Sequence, residues 1–436
     1  MNKHYVLYAI TAGLGMLPMV TNATTTTVAA GTTVTSTQNV SANNSLIVFG
    51  TINISGGSPT AIHATGNSAT VTINDGALIY GSIVSNNGQT NDRLYLNYNS
   101  GSSYVLNTTG PWTIVDYSQG LQTPQTGKVA GIGAQETADK MMFQRTTLFN
   151  SSLAERLAQP SGFAAPWMSI YHGTISRSTN SNITQESPFN STARGLTIGA
   201  PIEHTYNPMD FVFNIQTDHE KIAESRHLVK FTNFFAGVLA PGLYDYVGGR
   251  VSGKLFIGFN KHDGTRTVFN DSGSTTSLGK YHSLLVLAGL EERWSMNITK
   301  KIIWTFLTGA DLVEEHQKWH YETLYFSWKT RRTLMLSGKL EGNLRYQAPE
   351  NLWSAWGTVS LMKYKLLSGK RFIYQVNGGA ENTIALNNKR DNYIKLQAGA
   401  DYDVLSFMKI NASLEWMRSR HHIHQCQGHI GIMFDD

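Results

Sequence analysis

Thr333-Leu334-Met335-Leu336-Ser337-Gly338-Lys339-Leu340-Glu341-Gly342-Asn343-Leu344-Arg345-Tyr346 decides the fold. One set of alternate positions reads Leu334, Leu336, Gly338, Leu340, Gly342, Leu344, Tyr346; the other reads Thr333, Met335, Ser337, Lys339, Glu341, Asn343, Arg345. Successive side chains of a strand point to opposite faces, so this segment has one greasy side and one wet side. Charges at alternate positions cannot both line a dry core, so one face meets lipid or a core and the other meets water.

The same alternation recurs through the second half of the chain. Met408, Ile410, Ala412, Leu414 and Trp416 oppose Lys409, Asn411, Ser413 and Glu415; Ile394, Leu396, Ala398 and Ala400 oppose Lys395, Gln397 and Asp401. Val251, Gly253, Leu255, Ile257 and Phe259 oppose Ser252, Lys254 and Asn260. Trp167, Trp294, Trp304, Trp353, Trp356 and Trp416 fall near strand ends, as in the aromatic girdles of membrane barrels. A soluble sandwich or barrel would show a few such strands without needing aromatics at the edges of apolar bands.

Candidate strands lie near 166–176, 193–204, 209–218, 229–240, 249–262, 281–296, 301–314, 332–347, 352–366, 371–383, 391–403, 407–419 and 425–434, which makes thirteen. Bacterial single-chain barrels have an even number, with both ends on the periplasmic side. Twelve are therefore expected, with 371–383 or the first segment as the surplus. The fold class is all-β: a twelve-stranded antiparallel transmembrane barrel, wide enough to admit one helix.

That helix is the stretch 133–160. Ala134-Gln135-Glu136-Thr137-Ala138-Asp139-Lys140-Met141-Met142 continues without Gly or Pro to Ala158, with Gly131 and Gly133 before it and Pro160 after it. At 1.5 Å per residue it would be about 39 Å long, more than the ~30 Å hydrocarbon core of a bilayer. Its polar residues exclude lipid contact but suit the inside of a polar pore.

Residues 24–130 are rich in Thr, Ser, Asn and Gly and almost free of charge. Brief β-branched runs, such as Ser45-Leu46-Ile47-Val48-Phe49 and Ala69-Thr70-Val71-Thr72-Ile73, are separated by turns such as Asn74-Asp75-Gly76. Stacked rungs of a β-solenoid fit this spacing, because each rung covers the next. A disordered polar linker fits the composition but not the repeated aliphatic clusters.

Residues 1–23 read as a signal peptide: Lys3, an apolar stretch from Tyr5 to Val20, then Thr21-Asn22-Ala23. No later apolar run approaches the roughly 20 residues of a spanning helix. The lone Cys426 cannot form an internal disulfide. The net charge of +5 is interspersed, which gives no nucleic-acid patch.

This order of parts resembles the monomeric autotransporters of type V secretion: signal peptide, short passenger, pore-length helix, and a barrel over 161–436 that ends in an aromatic residue. The resemblance implies an outer-membrane anchor, a helix threading the lumen, and a passenger displayed on the cell surface. It also implies partners: outer-membrane lipid, the barrel-assembly machinery, periplasmic chaperones and a host or neighbour-cell ligand for an adhesin-like passenger, with the chain itself a monomer. Ile430, Ile432 and Phe434 match the alternating, aromatic-ended last strand of that family, and Asp435-Asp436 beyond it depart from the pattern. Some members cut themselves in the helix through an Asn. Asn150 is the helix Asn here, without the paired-Asn motif, and a structural role is the expectation. Lumen-facing candidates are Lys339, Glu341, Arg345, Lys409 and Glu415, with Glu341 or Glu415 as the acids to meet the helix.

No enzyme, cofactor or metal site is expected. No Gly-x-Ser-x-Gly elbow is present. His421-His422-Ile423-His424-Gln425-Cys426 and His429 match no standard metal spacing and read as an exposed loop before the last strand. Asp218-His219 and His262-Asp263 suggest a rim protease, but neighbours on one strand face opposite sides. A porin-like channel with a periplasmic N-terminal segment is the other rival.

Overall fold

A computed structural model describes residues 23–54, 59–86, 88–98, 102–117, 123–125, 128–131, 137–159, 165–178, 188–202, 209–222, 227–349, 352–385 and 390–434. The expected signal peptide, apart from Ala23, lies outside the described residues, as do Asp435 and Asp436.

The wall strands are β1 (Trp167–Arg177), β2 (Phe189–Ile202), β3 (Met209–Ile222), β4 (His227–Tyr246), β5 (Gly249–Asn270), β6 (Gly273–Thr299), β7 (Ile302–Gln317), β8 (Arg331–Gln347), β9 (Trp353–Ser368), β10 (Arg390–Leu405), β11 (Met408–Ser419) and β12 (Ile423–Phe434). Each pairs antiparallel with the next, and β12 closes on β1 from Trp167↔Met433 to Arg177↔Ile423. The result is a closed antiparallel barrel of twelve strands. Closure removes every unpaired edge, the one solution open to strands in lipid. Both barrel termini lie at one end, where the connections are short, as at Val247-Gly248 and Lys300-Lys301. We call this the terminal end and the opposite one the loop end.

The surplus segment is 371–383. Arg371–Val376 and Glu381–Ala385 form a hairpin that joins Phe326–Trp328 and His320–Tyr321 in a four-stranded sheet at the loop end. These strands are too short to cross a membrane at ~45° tilt, which takes about 9–11 residues. They alternate because Phe372, Tyr374 and Val376 bury against Trp328 and Phe326 while Ile373 stays outside.

The wall's outer face is apolar at mid-height, with Leu255, Ile257, Phe259, Leu340, Leu344, Val359, Leu361, Ile394, Leu396, Leu414 and Ile430 exposed. From Ile394 to Tyr402 this band runs about 26 Å along β10 at ~3.3 Å per residue. A tilt near 40° brings it to about 20 Å of height, close to the ~25 Å belt of outer-membrane barrels. Toward the loop end, outward positions turn polar at Arg194, Lys230, Lys261, Lys363 and Arg418. Four of the six tryptophans follow the girdle expectation: Trp304, Trp353 and Trp416 are exposed, and Trp294 stacks on outward Phe306. Trp167 and Trp356 instead face inward, each ring over a wall glycine. A Cβ on Gly199 would lie 2.2 Å from the Trp167 ring, and one on Gly399 would lie 2.5 Å from Trp356.

The N-terminal unit is a parallel β-solenoid with three faces. Thr25–Val28, Ser45–Val48, Thr70–Asn74, Arg93–Asn97 and Thr113–Asp116 stack as one sheet. Thr33–Val34, Thr51–Asn53 and Leu78–Tyr80 form the second. Gln38–Val40, Thr60–Ala64, Ser82–Ser85 and Ser103–Thr109 form the third. Register puts Leu46, Val71 and Leu94 in one column and Val48, Ile73 and Leu96 in another, all buried. Gly50 is needed where the chain turns, since a Cβ there would sit 2.3 Å from the Ala29 carbonyl oxygen.

Candidate functional site

Helix α1 (Thr137–Ala158) fills the lumen. At 1.5 Å rise it is about 33 Å long, enough to thread the wall. It begins toward the loop end, where Phe143 stacks on Tyr364 and Tyr393 at 4.7 and 4.8 Å. It ends toward the terminal end, where Arg250 of β5 donates to the Gln159 carbonyl.

Its contacts change character along its length. In the upper half Arg145 sits 4.4 Å over the Phe231 ring, and Phe149 packs between Phe235 and Phe256 at 4.8 Å from each. Leu148 and Leu153 are also fully buried. From mid-helix downward hydrogen bonds and ion pairs join the apolar packing of Leu153 and Leu157.

Asn150 is clamped from two sides. Its Nδ2 donates to Asp311 Oδ2 at 2.8 Å, Lys254 Nζ donates to its Oδ1 at 2.8 Å, and Lys254 pairs with Asp311 at 2.8 Å. One step on, Ser151 donates to Glu415 at 2.9 Å and Ser152 shares a hydrogen bond with Thr197 at 2.7 Å. Glu415 also binds Lys395 at 3.3 Å. Near the helix end Arg156 pairs with Asp210, Nε at 2.6 Å and Nη2 at 3.0 Å, and Asp210 accepts from Trp167 Nε1 at 2.8 Å. Both partners are fully buried, so this fork ties helix, β1 and β3 into one unit.

Lys339 pairs with Glu291 at 2.8 Å. Glu341 accepts from Ser360 and lies 3.8 Å from Lys395. Arg345 pairs with Asp401 at 2.6 Å and approaches helix residue Glu155 at 3.7 Å. Lys409 lies 3.6 Å from Asp403 at the terminal end. Phe434 ends β12 on the outer face, its N–H donating to the Pro166 carbonyl. The acid that meets Asn150 is thus Asp311, while Glu415 meets Ser151 and Glu341 stays in the wall. Sequence reading did not single out Asp311, Asp210 or Arg156. The inward parity of Gly309, Asp311 and Val313, and of Asp210, Val212 and Asn214, was the available signal.

A cavity of about 800 Å³ remains at the helix's lower end, lined in part by Glu155, Arg250, Arg293, Arg345 and Lys409. It is polar, and the helix occupies the lumen above it.

The other candidates disperse. Asp218 and His262 face inward and His219 outward, so neither adjacent pair forms a dyad. Of the histidine cluster, His421 and His422 occupy the β11–β12 turn, His424 and His429 lie in β12 itself, and His429 points inward near Tyr171. Among the described residues no group of His, Cys, Asp or Glu could hold a metal ion.

The solenoid sits on the loop end. Ser103–Thr109 continues the β5 edge in parallel, Ser103↔Val268 to Val105↔Asn270, and pairs antiparallel with Lys128–Gly131. Phe269 of the β5–β6 hairpin stacks on Tyr98 at 5.1 Å and belongs to the solenoid core. Arg266 donates to Ser103 at 3.1 Å, and Gly81 N–H donates to the Asp271 carbonyl at 2.8 Å. Solenoid ends need a cap, and this hairpin is the cap of the last full rung. Burial beside Asp116 pushes the Tyr104 hydroxyl well above its ordinary range. In the neighbouring four-stranded sheet, burial lowers His320 to about 4, with Tyr281 stacked on it at 4.1 Å.

No protein-family model and no curated protein matches the sequence. Among solved structures, the translocator domain of the autotransporter NalP from Neisseria meningitidis aligns with 70% of this chain and 98% of its own at 13% identity and a TM-score of 0.52. The barrel has the fold of an autotransporter translocator domain. Two further structures align over more than 60% of the chain with lower scores. They are the β domain of the Bordetella autotransporter BrkA (63% of this chain, 100% of that one, 13% identity, TM-score 0.46) and the transport unit of AIDA-I from Escherichia coli (66%, 97%, 11%, 0.42). Within the translocator fold described here, the helix-filled lumen and the solenoid on the rim are the features that bear on function.

Proposed function

We propose that this chain is a small autotransporter of type V secretion. Its barrel anchors in a bacterial outer membrane and carries the N-terminal solenoid to the cell surface, where it stays docked. The observation that carries the reading is the path of the chain: the solenoid caps the loop end, and α1 runs from that side through the lumen to β1 at the terminal end. The barrel-assembly machinery and periplasmic chaperones are the partners of insertion, with Phe434 as the terminal aromatic of the last strand. The chain acts as a monomer, and the polar Thr and Asn faces of the solenoid serve adhesion to a neighbouring surface. Protease added to intact cells is expected to remove residues 24–130 and spare the barrel. If that segment is cut only after the outer membrane is permeabilised, it is periplasmic and the porin-like reading replaces this one.

A second reading concerns Asn150. Its Nδ2 donates to a carboxylate, the arrangement needed to draw off a proton while nitrogen attacks the residue's own carbonyl carbon. The new C–N bond would close a succinimide on Asn150, the Asn150–Ser151 bond would break, and the Ser151 nitrogen would take up the proton. Lys254 holds both the Asp311 carboxylate and the Asn150 side-chain oxygen, so we take the group as an anchor. A single full-length mass for the purified protein is the outcome expected of an anchor. A fragment starting at Ser151, abolished by Asp311→Asn, would establish cleavage.

A further inference from the structure

We infer that the outer wall at β8–β11 binds one phosphorylated, multiply acylated lipid of the leaflet on the loop-end side. The inference deepens the outer-membrane reading above and rests on it.

The wall is indented here by a groove of about 960 Å³. Its floor is a cross-strand row, Leu340↔Leu361↔Ile394, flanked by Trp416. The groove exists because Gly338 and Thr308 leave the outer face low: a Cβ on Gly338 would meet only the Gly309 carbonyl, at 3.8 Å. The chemistry changes where this row ends on Arg418 and, on β9, two residues toward the loop end at Lys363. Lys363 pairs with Asn392, whose carbonyl accepts from the Arg420 N–H at 3.1 Å, and Arg418 lies opposite Ile394. Lys363, Arg418 and Arg420, with His422, form the upper edge of the same groove.

The three cations are exposed, and among the described residues no carboxylate pairs with any of them. Two outward cations elsewhere at this level, Lys261 and Arg332, pair instead with Asp263 and Glu314. A groove that is greasy below and cationic above complements an acyl chain below and a phosphate above, at the height where the apolar band ends. A free phosphate would leave the apolar floor unused, and a fatty acid would leave the guanidinium groups unused, so the occupant carries both.

The test uses the full-length protein purified in a mild detergent, with diphosphorylated lipid A as probe and native mass spectrometry as readout. One lipid A per barrel is expected, retained at least about tenfold more tightly than its dephosphorylated form. Lys363→Gln/Arg418→Gln/Arg420→Gln should abolish that preference, while Lys300→Gln/Lys301→Gln at the terminal end should not. Heat-modifiable gel migration checks that each variant is folded; if the triple variant is not, K363Q and R418Q are compared singly. Equal retention of the two lipids by the native protein, or an unchanged preference in the groove variants, would overturn the inference while leaving the membrane reading standing. Failure of every form to enter a membrane would instead strike that reading.

Discussion

The solenoid and the barrel are both built of strands, yet only the barrel buries paired charges beside its apolar side chains in quantity. In the solenoid, Leu46, Val71 and Leu94 turn inward and the Thr and Ser between them face water. In the barrel, Leu340, Leu361 and Ile394 turn outward, and the interior holds Asp210, Arg156, Lys395 and Glu415. Period two is the same; only the solvent outside has changed. The share of charge separates the two: the solenoid buries Asp92, held by the Ala69 N–H and the Ser85 hydroxyl, whereas the lumen holds a network of paired charges around its helix.

Inverting the solenoid should have the largest effect. Val71→Asp places an unpaired carboxylate in a dry column and is expected to cost more than about 4 kcal/mol, the upper range for point substitutions. Limited proteolysis should then digest residues 24–117 at a much lower protease dose than the native solenoid requires, while the barrel keeps its resistance. Protection of both units would mean that the rungs are not independent of the barrel.

Next in size is Arg156→Ala in the lumen. Among the described residues it leaves Asp210 with Trp167 alone as partner, which should cost about 3–5 kcal/mol, the usual penalty for breaking a buried pair. The melting temperature read from heat-modifiable migration should fall, and the double substitution with Asp210→Asn should recover part of the loss.

Twelve of thirteen candidate strands are wall strands, because an apolar outer face and a polar lumen stamp alternation on each of them. The thirteenth, at 371–383, alternates for a different reason, a hairpin lying flat on neighbours, and parity alone cannot tell the two apart. The far ends of β5 and β6 escaped notice because beyond Phe259 the outer face meets water and turns to Lys261 and Asp263. The site was partly legible. A helix of pore length and its Asn150 follow from composition, but the Asp311 and Lys254 that hold Asn150 come from β7 and β5. Period two says which side of the wall a side chain occupies; the partner it meets depends on how the helix is rotated and how the strands are staggered.

The four-stranded sheet at the loop end should depend on pH. His320 titrates near 4 when folded and near 6.5 when unfolded, so the unfolded form binds the proton first. Its contribution is fully present above about pH 6.5 and is lost as pH falls toward 4. Hydrogen exchange in residues 318–328 should rise over that window, and His320→Gln should flatten the dependence. The smallest effect is expected for Tyr104→Phe, which removes the 2.7 Å bond to Asp116 and should cost about 1 kcal/mol in a solenoid melt.

The gel mobility of the purified protein before and after boiling tests the sided barrel most directly. A closed barrel around its helix predicts faster migration unboiled, and extraction only with detergent. A chain that stays dissolved in plain buffer and migrates identically in both states would contradict it.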